Sequence, residues 1–112
     1  VREMVLEQLS PAERQAAREK ALEARTARAE LKAAFANGAI TLEDVFSIAD
    51  LDDAIGRMRC IDLLTALRSV GEVRATSVME ACVISPKRRL RGLGRRQREK
   101  LIAWHNTRLA VE

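Results

Sequence analysis

Residues 63–81 read LLTALRSVGEVRATSVMEA, and this stretch decides the fold. Leu64 and Leu67, with Ile61 just before the stretch, mark the apolar side of one short helix. Ala75, Val78 and Met79 mark that of another. Between them, Val70-Gly71-Glu72-Val73 is too short for anything but a tight turn. A helical hairpin of this kind leaves the first backbone N–H groups of its second helix without intrahelical acceptors. Such amides form a ready site for an anion, phosphate included. Being backbone groups, they read phosphate geometry and not base sequence. Arg74 adds a positive charge in the first turn; Glu72 suits the helix dipole but opposes a close phosphate. Taken alone, a glycine turn between helices usually only connects.

Outward from the hairpin the pattern stays helical. The 112-residue chain has two prolines and no alternating apolar run. Ser10-Pro11-Ala12-Glu13 is a helix start, with Ser10 as cap, Pro11 at the first helical position and Glu13 completing a capping box. Asn37-Gly38 is its stop. Leu22 is the only large apolar residue between Ser10 and Glu30, so this first helix is expected to be mostly exposed. Ala17, Ala24, Leu31 and Phe35 are its expected contacts with the core. Shorter helices are expected around Leu42, Val45, Phe46 and Ala49, then around Leu51, Ile55 and Met58. Others are expected around Ile61, Leu64 and Leu67, and around Ala75, Val78, Met79 and Cys82. A last helix begins near Gly94 and passes Leu101, Ile102 and Trp104. The expected fold is all-α, one structural domain overall. Residues 1–37 form an extension and long basic helix, and 38–112 a helical core. Residues 1–9 read either as an extra turn of helix or as an ordered remnant.

Charge is unevenly distributed. The formal net charge is +4, yet residues 33–56 hold five acids and no Lys or Arg. Residues 85–100, SPKRRLRGLGRRQREK, hold eight basic residues against the single acid Glu99. A cluster this dense exceeds what solubility needs and suits a polyanion. Lys87, Arg88, Arg89 and Arg91 precede Gly92-Leu93-Gly94; Arg95, Arg96 and Arg98 follow. Leu90 and Leu93 alternate with the charges and are expected to pin the segment to the core. Arginine suits phosphate contacts and can enter a narrow minor groove. The glycines are read as allowing positive φ and close approach of the backbone to a ligand, with Gly94 capping the final helix. No GK[ST] follows, so this is not a nucleotide loop. On the first helix Arg14, Arg18, Arg25, Arg28 and Lys32 fall within an arc of about 80°, a second candidate surface for phosphates. A solvated helix face is the plain alternative.

Little nominates catalysis. His105 stands alone and is expected to be a surface or half-buried residue of the last helix. Ser69 and Ser77 have no partner base identifiable in sequence. Cys60 and Cys82 with one histidine do not make a zinc site and read as buried thiols in a reducing cytosol. No apolar run is long enough to span a membrane.

ARAELK (27–32), the glycine after it, VGEVRA (70–75) and RRLRGLGRRQR (88–98) together resemble the actinobacterial integration host factor family. The resemblance spans about residues 12–104, and RRLRGLG followed by RQR is its specific part. It implies a long first helix on a helix–two-turn–helix core like that of a small-subunit ribosomal protein. It further implies a cytoplasmic, nucleoid-associated, non-enzymatic protein that needs no cofactor or metal and acts as a monomer. Such a protein binds double-stranded DNA with little sequence preference, bends or compacts it, and assists phage-type recombination, in concert with an integrase through shared DNA. The implied contacts are Gly71, Val73 and Arg74 in the hairpin and Arg88, Arg89 and Arg91 in an arginine clamp. The charged run itself adds Gly92, Gly94, Arg95 and Arg96 as candidate DNA contacts, with Arg95, Arg96 and Arg98 either sharing the clamp's face or extending its field. Glu72 and Arg95 depart from the family's lysine and acidic residue. An RNA-binding, ribosome-associated protein using the same hairpin and clamp is the alternative; a DNA-processing enzyme or its accessory domain is a third reading.

Overall fold

The computed structural model describes residues 9–111; the reading of residues 1–8 lies outside them. Among the described residues six α-helices and a single 3-10 turn account for the regular structure. They are α1 (Pro11–Ala36), α2 (Leu42–Leu51), α3 (Asp53–Gly56), α4 (Cys60–Leu64), α5 (Glu72–Ala81), the 3-10 turn Leu90–Gly92, and α6 (Arg95–Val111).

Two capping boxes set the first two helices. Ser10 Oγ accepts from the Glu13 N–H at 3.1 Å, and Glu13 Oε1 accepts from the Ser10 N–H at 3.2 Å. Thr41 and Asp44 repeat the exchange at the start of α2, at 3.0 and 2.9 Å. Each box satisfies two otherwise orphan donors, which is why both helices start where the sequence indicates. At the far end of α1, Gly38 takes φ 81, a conformation that costs glycine little.

α1 is longer than the core it serves. Its 26 residues span about 39 Å, whereas the molecule measures 54 × 28 × 25 Å. Only Leu31 and Phe35 of this helix are buried, with Ala27 partly buried against the core. Ala24 is half-buried, but Ala17 is exposed and does not meet the core as expected. The helix has by then run past the packed layer.

The core joins Leu31 and Phe35 to Leu42, Val45, Phe46 and Ala49 of α2, then to Ile55, Met58, Cys60, Leu63, Leu64 and Leu67. From the C-terminal part it takes Val78 and Met79 of α5, Leu90, Leu93 and Leu101. Leu51, expected to start a third helix, instead ends α2 and is 90% exposed. Asp52 ends α2 there, and its Oδ1 accepts from the N–H groups of Ala54 and Ile55 to start α3. His105 also departs from expectation. It is buried, with its ring 5.0 Å from that of Phe35. Cys60 and Cys82 are buried free thiols, and burial pushes the Cys60 thiol up to about 12. That keeps it uncharged and unreactive near neutral pH.

Candidate nucleic-acid interface

The hairpin forms as its sequence suggests, though its left-handed residue is Ser69 (φ 70) and not Gly71. Gly71 is the N-cap of α5 with φ −88, and no side chain caps the helix. The first intrahelical bond runs from the Ala75 N–H to the Gly71 carbonyl at 2.9 Å. The amides before it therefore point out of the helix end. A Cβ built on Gly71 would meet nothing within 4 Å. Its missing side chain serves no need of this chain's own packing, so the space lies open to a ligand. Val73 beside it is 84% exposed. Arg74 stays exposed, with only a long 3.5 Å contact to the Ser69 carbonyl.

The arginine segment is anchored, not trailing. Leu90 is 0% and Leu93 4% exposed, both in the core. The segment before them pairs with the α3–α4 turn. Cys60 N–H donates to the Arg88 carbonyl at 3.0 Å, and Leu90 N–H to the Met58 carbonyl at 2.9 Å, across an antiparallel bridge between Arg59 and Arg89. At the start of α6, Gln97 Oε1 accepts from the Gly94 N–H at 2.8 Å. Its amide donates to the Val83 carbonyl at 2.8 Å, tying the loop to the end of α5.

Neither Gly92 nor Gly94 adopts positive φ, contrary to expectation. The 3-10 turn needs only ordinary dihedrals, and a Cβ at either position would make ordinary contacts at 3.6 Å. The glycine that this loop requires is Gly56, thirty-odd residues away. A Cβ there would lie 2.5 Å from the Ala49 carbonyl oxygen and 2.7 Å from Arg91 Nε. Gly56 thus leaves the notch in which Arg91 lies. A Gly56→Ala variant is expected to lose roughly 1–3 kcal/mol, read as a lowered melting temperature, because a backbone carbonyl cannot step aside.

The segment's arginines divide into two groups. Arg91 and Arg98 turn inward. Arg91 Nη1 meets Asp53 Oδ1 at 2.7 Å and Nε donates to the Ala49 carbonyl at 3.1 Å. Arg98 grips both carboxylate oxygens of Asp50 at 2.8 Å. It also donates to the carbonyls of Leu93 and Arg91, and lies 5.0 Å from the centroid of the Phe46 ring. Arg88, Arg89, Arg95 and Arg96 remain on the surface, as does Lys87. Arg88 makes a 3.2 Å contact to the Gly92 carbonyl, Arg89 donates to the Arg57 carbonyl, and Arg95 pairs with Glu99 at 3.0 Å. Asp50 and Asp53 are the counterions that hold the basic loop's frame.

The Arg98 hydrogen bonds hold the Asp50 carboxyl below its usual range, against a smaller opposing effect of desolvation. A carboxyl with a depressed folded-state pKa stabilises fully above its unfolded value of about 3.9 and loses that contribution as pH falls through the folded value. Melting curves of the native chain and of Asp50→Asn are accordingly expected to separate above about pH 4 and to converge in stronger acid.

On α1, Arg14 donates to the Leu9 carbonyl at 3.0 Å and Arg18 to Gln15 Oε1 at 2.8 Å, both in the exposed half. Arg25 is exposed, whereas Arg28 and Lys32 are half-buried against the body. Sequence reading missed Arg57 and Arg59. They lie with Arg28, Arg89, Met58 and Asp62 around one cleft beside the clamp. No helix of the described residues is long and apolar enough to cross a membrane.

Comparison with known proteins adds to this geometry. The S13-like H2TH domain matches residues 35–104. A protein of Mycolicibacterium smegmatis named Integration host factor is 48% identical over 99 residues, covering 88% of this chain and 94% of its own. Its namesake in Mycobacterium tuberculosis matches to the same extent. The one in Streptomyces coelicolor is 44% identical over 94 residues, covering 84% and 88%. A solved structure described as sIHF bound to an 8bp palindromic DNA superposes with a TM-score of 0.74 at 41% identity. It covers 77% of this chain and 97% of that one.

Proposed function

The chain belongs to the actinobacterial integration host factor family and carries its S13-like H2TH domain, and from that premise we propose that it is a nucleoid-associated, architectural protein that binds double-stranded DNA. The hairpin amides at Gly71, Glu72 and Val73, with Arg74, take up phosphates at one place. The anchored segment, through Arg88, Arg89 and Arg96, holds the duplex at another, with arginine entry into the minor groove. Arg91 has its guanidinium in the Gly56 notch and remains 42% exposed. It sets the posture of the turn and adds to its field. Lys87 and Arg95 raise the same local potential. Two contact regions fixed on one small body bend or compact DNA with little sequence preference. They would serve phage-type recombination by shaping DNA shared with an integrase. The protein works as a monomer in the cytoplasm, on the nucleoid, without catalysis.

The observation that carries this reading is the burial of Leu90 and Leu93 inside a run of exposed arginines. Anchored arginines lose little further freedom on binding, so more of their attraction survives as affinity. The DNA-bound structural neighbour favours a duplex over ribosomal RNA as the ligand. Competition between mixed-sequence duplexes and a structured RNA of equal length tests this. The duplexes are expected to compete equally with one another and better than the RNA. Preferential capture by the RNA would overturn the reading.

A further inference from the structure

Arg57 and Arg59 lie in the turn between α3 and α4, about thirty residues from the basic run in sequence. The antiparallel bridge between Arg59 and Arg89 brings that turn alongside the clamp segment. Arg89 fastens it further by donating from its guanidinium to the Arg57 carbonyl. Arg28 of α1 closes the same cleft from the other side. Four arginines from three segments thus surround one cleft, whose other polar side chain is Asp62. Among the described residues there are three ion pairs, Arg91–Asp53, Arg95–Glu99 and Arg98–Asp50, and none involves these four. The folded chain therefore gathers four positive charges in a concavity against the single carboxylate of Asp62, with Asp53 near enough to feel the Arg57 charge, and leaves positive charge in excess. A concave, like-charged wall concentrates the field and attracts anions. Guanidinium forks match phosphate oxygens two at a time.

We propose that Arg28, Arg57 and Arg59, together with Arg89, form a third contact that binds backbone phosphates of the same duplex beyond the clamp. The inference rests on the DNA-binding reading above and extends it. The duplex leaves the clamp along the α3–α4 turn towards the C-terminal half of α1. This divides the arginine stripe of the first helix. Arg28 belongs to the interface, and Lys32 lies just beyond it in a neighbouring hollow with Asp62. Arg14 and Arg18 lie away from it, on the half of the helix that has left the core.

The test compares the native chain, Arg57→Ala/Arg59→Ala and Arg57→Lys/Arg59→Lys on a duplex of about 20 base pairs, each titrated with salt. Both side chains are exposed, so melting without DNA is expected to be unchanged by either replacement. Two lost phosphate contacts should make the slope of log K against log[salt] shallower by about 2, and weaken binding roughly 10- to 100-fold near 0.1 M salt. The lysine variant should keep most of the slope. An alanine variant with the native slope overturns the third contact, whatever its affinity. A native chain with no salt dependence overturns the DNA-binding reading itself, and a native chain that binds steeply leaves only the third contact at stake.

Discussion

Replacing Arg88, Arg89 and Arg91 together by alanine is expected to weaken binding to every duplex by roughly 100- to 1,000-fold near 0.1 M salt. Each phosphate neutralised contributes about 0.9 to the salt slope, so Arg88 and Arg89 account for nearly two decades at that concentration, and loss of Arg91, which holds the turn in shape and adds to its field, supplies the rest. The loss should be uniform across sequences, because phosphate contacts position a duplex without reading it. Binding assays on several unrelated duplexes check this, and a loss confined to one sequence would point to base readout instead. The three residues should differ in a second measurement. Arg88 meets only an exposed carbonyl, so Arg88→Ala should leave the melting temperature within the small range of surface changes, about 0.5 kcal/mol. Arg91 bonds both Asp53 and the Ala49 carbonyl, so Arg91→Ala should lower it. A drop in affinity accompanied by a drop in stability thus marks the residue that holds the turn in shape.

Truncating Leu90 to alanine is expected to cost about 2–5 kcal/mol, the range for removing a buried leucine whose site cannot collapse. Leu90 is fully buried, immediately between Arg89 and Arg91. In a domain of this size each kcal/mol moves the melting temperature by about 4–8 °C, so a fall of roughly 8–40 °C should be seen. Thermal melting of Leu90→Ala beside Leu22→Ala gives the contrast, since Leu22 is 57% exposed on the overhanging half of α1. Below its melting temperature the Leu90 variant should also bind DNA more weakly, although it keeps every arginine. The arginines would then have to be ordered on binding, and ordering opposes affinity. Unchanged affinity in a folded Leu90→Ala chain would mean that anchoring contributes nothing.

Local chemistry was legible in the sequence, and long-range pairing was not. The start of α1 followed from Ser10, Pro11 and Glu13, and its end from Asn37-Gly38, because caps act over three or four residues. The pinning of the arginine segment followed from the alternation of Leu90 and Leu93 with charge. The pairing of Arg91 with Asp53 and of Arg98 with Asp50 spans 38 and 48 residues, and no periodicity records it. For the same reason the glycine that matters to the loop was misplaced. Gly92 and Gly94 stand inside the charge, whereas Gly56 acts across the fold. Arg57 and Arg59 are two isolated charges in the sequence, and only the fold lays the segment of Arg89 beside them. His105 gave no sign of burial, since its contact with Phe35 depends on how α6 crosses α1.

If fixed arginines and helix-end amides hold the phosphates, a salt titration of duplex binding shows it most directly. With about five phosphates neutralised, log K against log[salt] should fall with a slope near −4 to −5. A slope near zero would contradict it.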